Sequence, residues 1–233
     1  NTALAHDLTG PLARLQPAPA PFEVRVHRLY NPEGLTQYNI VPGLIGTILT
    51  MTMVIMTSLA VTRERERGTM ENLLAMPVRP IEVMAAKVVP YIIIGYVQVV
   101  LIVLIAATVF QLPIRGSLVL LALGLGLFIA SNLVLGLTFS TIASNQMQAV
   151  QMAQFTLLPS FLLSGFMFPF RGMPVWAQWM GELLPITHAL RIIRGLLLKR
   201  NTFLDIAPDL WPIAVFTVII GMVGAWSYRE TLD

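Results

Sequence analysis

The sequence predicts an all-α polytopic membrane protein. Five transmembrane helices are joined by one short surface helix and one re-entrant segment. Three observations carry that prediction. First, 56% of the 233 residues are hydrophobic and only 12% are charged, well above the roughly 45–50% apolar usage of soluble domains. Second, charge is too sparse to cover a water-facing surface of this size. Third, five apolar runs approach the roughly 20 residues needed to cross a hydrocarbon core of about 30 Å, and none carries Asp, Glu, Lys or Arg in its interior.

The N-terminal residues 1–38 precede the first of these runs. They are polar and proline-rich up to Pro21, then alternate briefly through "FEVRV". With neither an initiator methionine nor a signal peptide, they read as the tail of a larger water-exposed domain. Residues 39–233 form the membrane domain, with spans at about 41–62, 88–110, 117–141, 147–168 and 211–228. Trp211, Trp226 and Tyr228 flank the last span as an interfacial aromatic belt would. Small residues at helical spacing, Gly126 with Ala130 and Gly221 with Ala225, are candidates for close helix packing.

After the first span the chain reads "VTRERERGTMENLLAMPVRP". The helix is expected to run on through the charges, where Arg63 and Arg67 stack at i, i+4 and Glu64 reaches Arg67 at i, i+3. Gly68 breaks it. Thr69 can cap a new short helix whose Met70, Leu73 and Leu74 share an apolar face, and Pro77 and Pro80 close it. On these residues alone, a lever for a soluble partner and an ordinary solvated loop are both open.

Polar side chains within the spans are few. Thr50 and Thr57, seven residues apart, share one face of the first span. Asn145, Gln148 and Gln151 cluster on one side at the start of the fourth. Both groups are candidates for a substrate path, with interhelical hydrogen bonding the alternative.

Between the fourth and fifth spans, Pro169, Pro174 and Pro185 cut the chain into pieces too short to cross. Trp176 and Trp179 suit an interface. His188, Arg191 and Arg194 recur every three residues beside Ile192, Ile193, Leu196 and Leu197, which describes an amphipathic helix lying at the membrane surface with a solvated basic face. Glu182 is the one acid between Arg171 and Lys199. With Arg191 or Arg194 it is a candidate outer gate, a surface acid being the alternative.

Several function classes are excluded. No G-x-S-x-G, H-E-x-x-H or phosphate-loop motif is present, so neither hydrolytic chemistry nor ATP binding by that loop is expected on this chain. There is no cysteine, and the three histidines, His6, His27 and His188, are far apart; no metal or other cofactor is expected. Scattered basic residues without interleaved aromatics give no nucleic-acid patch. No span buries the acid or histidine on which ion-coupled transporters commonly rely. Energy for uphill movement would have to enter from a partner.

"RERERGTMENLLAMPVRPIEVMAAKVVPY" resembles the cytoplasmic coupling segment of type-2 ABC export permeases. Three further blocks agree in order: "YNPEGLTQYNIVPGLIG", "NQMQAVQMAQFTLLPSFLLSGFMFP" and "LPITHALRIIRGLLLK". The likeness covers about residues 28–233. It implies the membrane-spanning permease of an ATP-driven exporter in the bacterial cytoplasmic (inner) membrane; spans rich in Met, Phe and Leu, with Thr and Gln as the polar minority, suit an amphipathic or hydrophobic, drug-like or lipid-like cargo among many others. The implied partners are a separate ABC ATP-binding subunit, a second permease copy or paralogue, membrane lipid and a periplasmic adaptor. Glu66, Gly68, Thr69, Met70, Glu71, Leu73, Leu74 and Pro77 would couple to the ATPase. The basic residues divide evenly between the two sides, so charge leaves orientation open, whereas the resemblance implies residues 63–87 cytoplasmic and 170–209 outside. Family members have a sixth span, their first, followed by a large extracytoplasmic domain; this sequence holds neither that span nor most of that domain, and the resemblance implies that residues 1–38 are its extracytoplasmic tail. A non-transporting membrane anchor of an ABC-type mechanical complex and an ATP-independent transporter or channel are the rival readings.

Overall fold

In the computed structural model, residues 37–67 and 80–230 are described, and among them every regular element is helical. They form α1 (Gln37–Glu66), α2 (Pro80–Thr108), α3 (Leu118–Ile142), α4 (Gln146–Leu163), α5 (Val175–Glu182), α6 (Pro185–Lys199) and α7 (Phe203–Glu230), with one 3-10 turn at Phe170–Gly172. Four helices have the length and composition of a membrane crossing, at Ile40–Ala60, Val88–Thr108, Leu118–Ile142 and Phe203–Ser227. The expected fourth span is present as α4, but it has 18 residues, about 27 Å of helix at about 1.5 Å each. Four glutamines make it less apolar than the others, and it is not among the four.

The helix start signals lie earlier than the apolar runs suggest. Pro80 opens α2, at a position where its missing N–H costs nothing. The last helix begins at Phe203 rather than near 211, because Asp205 caps its start: it accepts from both the Thr202 backbone N–H and its hydroxyl, each at 2.8 Å. This T-x-x-D pattern satisfies donors that a helix start leaves free, and it places Asp209 within the helix. At the other end of the bundle, α1 runs through the charged stretch to Glu66 as expected.

Helix α3 is the hub, packed against α1 on one side and α7 on the other. A four-residue ridge of α1 (Val41, Ile45, Leu49, Met53) is buried together with Leu121, Leu125, Phe128 and Ile129 of α3. Further along, α1 and α3 meet almost backbone to backbone. A methyl group at Gly136 would stand 2.7 Å from the Val54 carbonyl oxygen, closer than backbone can yield. Gly224 of α7 plays the same part against Thr138, whose hydroxyl reaches the Ile220 carbonyl at 3.2 Å. Of the small residues expected at close contacts, Gly126 lies under the Tyr96 hydroxyl, whereas a methyl at Gly221 would meet only ordinary contact distance.

Several hydroxyls inside this bundle bond to their own helices. Thr47, Thr50 and Thr62 donate to the carbonyls of Gly43, Gly46 and Ser58 at 2.6–2.9 Å. This is the economical solution where no water competes for a buried polar group.

The expected surface-lying helix 185–199 is corrected by the structure. Ile186, Ala189, Leu190, Ile192, Ile193, Leu196 and Leu197 of α6 are buried in the main core. Glycines make the room: Gly46 of α1 faces Leu190, and Gly124 of α3 faces Ile192. Helix α6 therefore dips into the bundle. Trp176 and Trp179 of α5, by contrast, are exposed.

Candidate functional site

Three places in the bundle gather the polar residues singled out from the sequence. The first is the junction between α1 and α4. Asn145 caps α4 by accepting from the Gln148 N–H at 2.8 Å, and the Gln148 side chain returns to the Ser144 N–H at 2.8 Å. Glu66, at the last turn of α1, accepts from the Gln146 backbone N–H at 2.7 Å and from the Gln146 side-chain amide. A carboxylate is well placed there, since the first N–H groups of a helix lack internal partners and carry partial positive charge. Those bonds, the backbone one foremost, hold the Glu66 carboxyl below its ordinary range. A second tie lies one turn away, where the Thr62 N–H donates to the Ser140 hydroxyl at 3.0 Å. The Glu66 carboxylate is thus engaged within the chain, on an exposed residue. Gly68, Thr69, Met70, Glu71, Leu73, Leu74 and Pro77 lie outside the described residues.

The second place is the set of expected path residues, which the structure separates. Thr50 and Thr57 are fully buried between helices and bond to the carbonyls of their own helix. Asn145, Gln148 and Gln151 are exposed on α4. The outward face of α4 continues through Gln154, Phe155, Leu158 and Leu162, positions that share one side at helical spacing. Its first half is amide-rich and its second half apolar. On α2, Gln98 accepts from Thr52 of α1 at 2.8 Å, an interhelical bond that the sequence reading did not single out.

The third is a cluster joining the end of α5, α6 and the start of α7. Arg191 grips Glu182 with both terminal nitrogens, one at 3.0 Å. It also comes within 3.5 Å of Asp209 and lies 5.0 Å over the Phe170 ring. The Glu182 hydrogen bonds raise the affinity of the guanidinium for its proton, against the effect of its partial burial. His188 is buried. Its Nδ1 lies 2.9 Å from the Asp209 carboxylate and its Nε2 lies 2.9 Å from the Glu182 carbonyl oxygen. Both neighbours are acceptors, so a ring protonated on both nitrogens satisfies both and a neutral ring satisfies one.

Glu182 and Arg191 are thus brought together as expected. Arg194 is not part of the cluster. It donates to the Gly165 carbonyl at 3.0 Å, its Nε has no partner, and burial lowers its pKa from the usual guanidinium value. The basic side of α6 is therefore not a solvated face. Sequence reasoning missed Asp209 and the buried setting of His188. The Thr202–Asp205 cap was the signal for the first, because it extends α7 back past Asp209.

No group of His, Cys, Asp or Glu suited to a metal ion occurs among the described residues.

Comparison with known proteins adds an independent line. The model of the family described as "ABC-2 type transporter" matches residues 23–198. The chain is 33% identical over 215 residues to the probable multidrug ABC transporter permease YbhR of Escherichia coli (strain K12), covering 92% of this chain and 58% of that protein. It is 35% identical over 210 residues to the probable multidrug ABC transporter permease YbhS of the same organism, covering 89% and 56%. A more distant similarity, 27% over 158 residues, is to ABC transporter G family member 20 of Dictyostelium discoideum, covering 68% of this chain and 22% of that protein. The chain spans less than two thirds of the length of each.

Proposed function

This chain belongs to the ABC-2 type transporter family, and from that premise we propose that it is the permease part of an ATP-driven exporter in the bacterial inner membrane. It pairs with a second copy or a paralogue, and each copy docks one separate ATP-binding subunit. The segment Gly68–Pro77 is the docking element, with Met70, Leu73 and Leu74 filling a groove on the ATPase and Glu71 meeting basic residues there. The observation that carries this reading is the Glu66–Gln146 junction. A push on the segment that begins two residues after Glu66 reaches α1 directly and, through that carboxylate, the first turn of α4. Loops that merely join spans have no need of such a tie.

The outward face of α4 is the surface along which cargo moves. Glutamines facing lipid are disfavoured, because an amide in hydrocarbon lacks partners. Gln148 and Gln151 therefore face the path between the two copies, and the Phe155–Leu162 half suits a hydrophobic or amphipathic cargo of the drug-like or lipid-like kind. Thr50 and Thr57, being buried and internally bonded, serve packing instead. Glu182 and Arg191 form the outer gate, holding the re-entrant pair α5–α6 closed.

The test is reconstitution with the ATP-binding subunit in proteoliposomes. Stimulation of ATP hydrolysis by hydrophobic cations or lipids, with ATP-dependent uptake of a fluorescent member of that set into inside-out vesicles, is expected. Uptake that proceeds equally without ATP assigns an ATP-independent carrier and overturns the proposal.

A further inference from the structure

A cavity of about 20 Å³ lies where α1, α3, α4, the start of α6 and α7 converge, and none of the junction or gate-cluster side chains lines it. Its polar lining is Thr50 of α1, Asn132 of α3, and Thr156 and Ser160 of α4; Leu157 and Phe216 supply part of the apolar wall. Asn132 is 1% exposed. Its Nδ2 donates to the Phe128 carbonyl at 2.9 Å, but its Oδ1 has no partner. Each hydroxyl on the wall already spends its hydrogen on a carbonyl of its own helix: Thr50 on Gly46 at 2.8 Å, Thr156 on Met152 at 3.0 Å, Ser160 on Thr156 at 2.7 Å. What these four residues still offer is lone pairs and one amide hydrogen of Asn132.

We propose that this cavity is a hydration site, in which a water donates one hydrogen to Asn132 Oδ1 and the other to a hydroxyl oxygen of α1 or α4. The ligand must be able to donate, because the buried atom left without a partner, Asn132 Oδ1, is an acceptor. It must be small, because a water needs roughly 10–15 Å³ and two to four polar partners, which the cavity supplies and little more. It is neutral, because no carboxylate lines the site and an ion stripped of water there would lack a countercharge. The water joins α3 to helices α1 and α4 by bonds that can exchange without breaking the bundle, unlike the dry contact at Gly136.

The experiment is hydroxyl-radical labelling of the protein in lipid nanodiscs, with mass spectrometry reading each site. Radicals formed from a buried water oxidise only the side chains beside it. Leu157 at 5% exposure and Leu125 at 1% are both buried leucines, so they share one intrinsic reactivity. Leu157 should label at least threefold faster than Leu125, and Asn132→Leu should bring it down to the Leu125 rate. Thr156→Val, nearly isosteric, should lower it about twofold and serves if the leucine variant does not fold. Equal rates at the two leucines in the unaltered protein overturn the proposal. So does a Leu157 rate unaffected by these substitutions, or one that changes when sodium and potassium are replaced by N-methylglucamine, which would assign a cation. None of these readouts needs transport, so their outcome is independent of the exporter reading.

Discussion

Asp209→Ala tests the charged cluster whose members come from α5, α6 and α7. In the folded chain the His188 Nδ1–Asp209 contact is 2.9 Å, and the two side chains are 6% and 19% exposed. Removing the carboxylate leaves a buried imidazole N–H without an acceptor, a desolvation loss of about 1–3 kcal/mol. The second contact of Asp209, to Arg191 at 3.5 Å, adds little. The guanidinium side chain is 38% exposed, and a screened pair of that kind contributes about 0–1 kcal/mol. The single variant should therefore be destabilised by about 2 kcal/mol, a fall of roughly 30-fold in the folded-to-unfolded ratio. His188→Ala removes the donor as well as the bond. The double variant should accordingly recover part of the loss, with a coupling of about 1–2 kcal/mol in the double-mutant cycle. The assay is reversible unfolding in mild detergent, followed by tryptophan fluorescence. Coupling below about 0.3 kcal/mol, within the scatter of independent sites, would refute the reasoning, because it would mean that His188 and Asp209 do not depend on one another.

Five further outcomes are expected. Gly136→Val should cost about 1–3 kcal/mol through overpacking and reduce membrane abundance, whereas Gly221→Ala should leave it unchanged; the contrast is read by quantitative blotting. Glu66→Ala should leave ATPase co-purification intact while lowering substrate-stimulated hydrolysis. Because the Gln146 bonds favour the ionised carboxylate, the junction is complete above the ordinary glutamate range and is lost only as pH falls through the lowered value, so at about pH 5 the Gln146 backbone amide should be as protected from hydrogen exchange, relative to its intrinsic rate, as at neutrality. Asn72→Pro, an interior proline costing about 3 kcal/mol in a helix, and Glu71→Lys should both abolish ATPase co-purification with insertion and pairing unaffected; normal transport by Glu71→Lys would return the segment to a plain loop. Gln151→Leu should change which compounds stimulate hydrolysis, measured across a panel of hydrophobic cations, without changing assembly.

The apolar run lengths and the absence of charge within them were enough to place this chain in a membrane as helices, because a peptide in hydrocarbon must satisfy its backbone bonds internally and a helix does so alone. The same local logic located the breaks at Pro169, Pro174 and Pro185, and the continuation of α1 through its charges to Glu66. The start of α7 was also legible, in the Thr202–Asp205 cap, although the apolar run drew attention past it. Tertiary structure decided the rest. A basic stripe on 185–199 reads as solvated until Gly46 and Gly124 on two other helices make space for Leu190 and Ile192, and until Asp209 and the Glu182 carbonyl stand opposite His188. Periodicity reports which residues share a face of one helix. What that face meets is set by partners far away in sequence: Glu66 finds Gln146 eighty residues on, and Gly136 meets Val54 because two backbones cross where neither can carry a side chain.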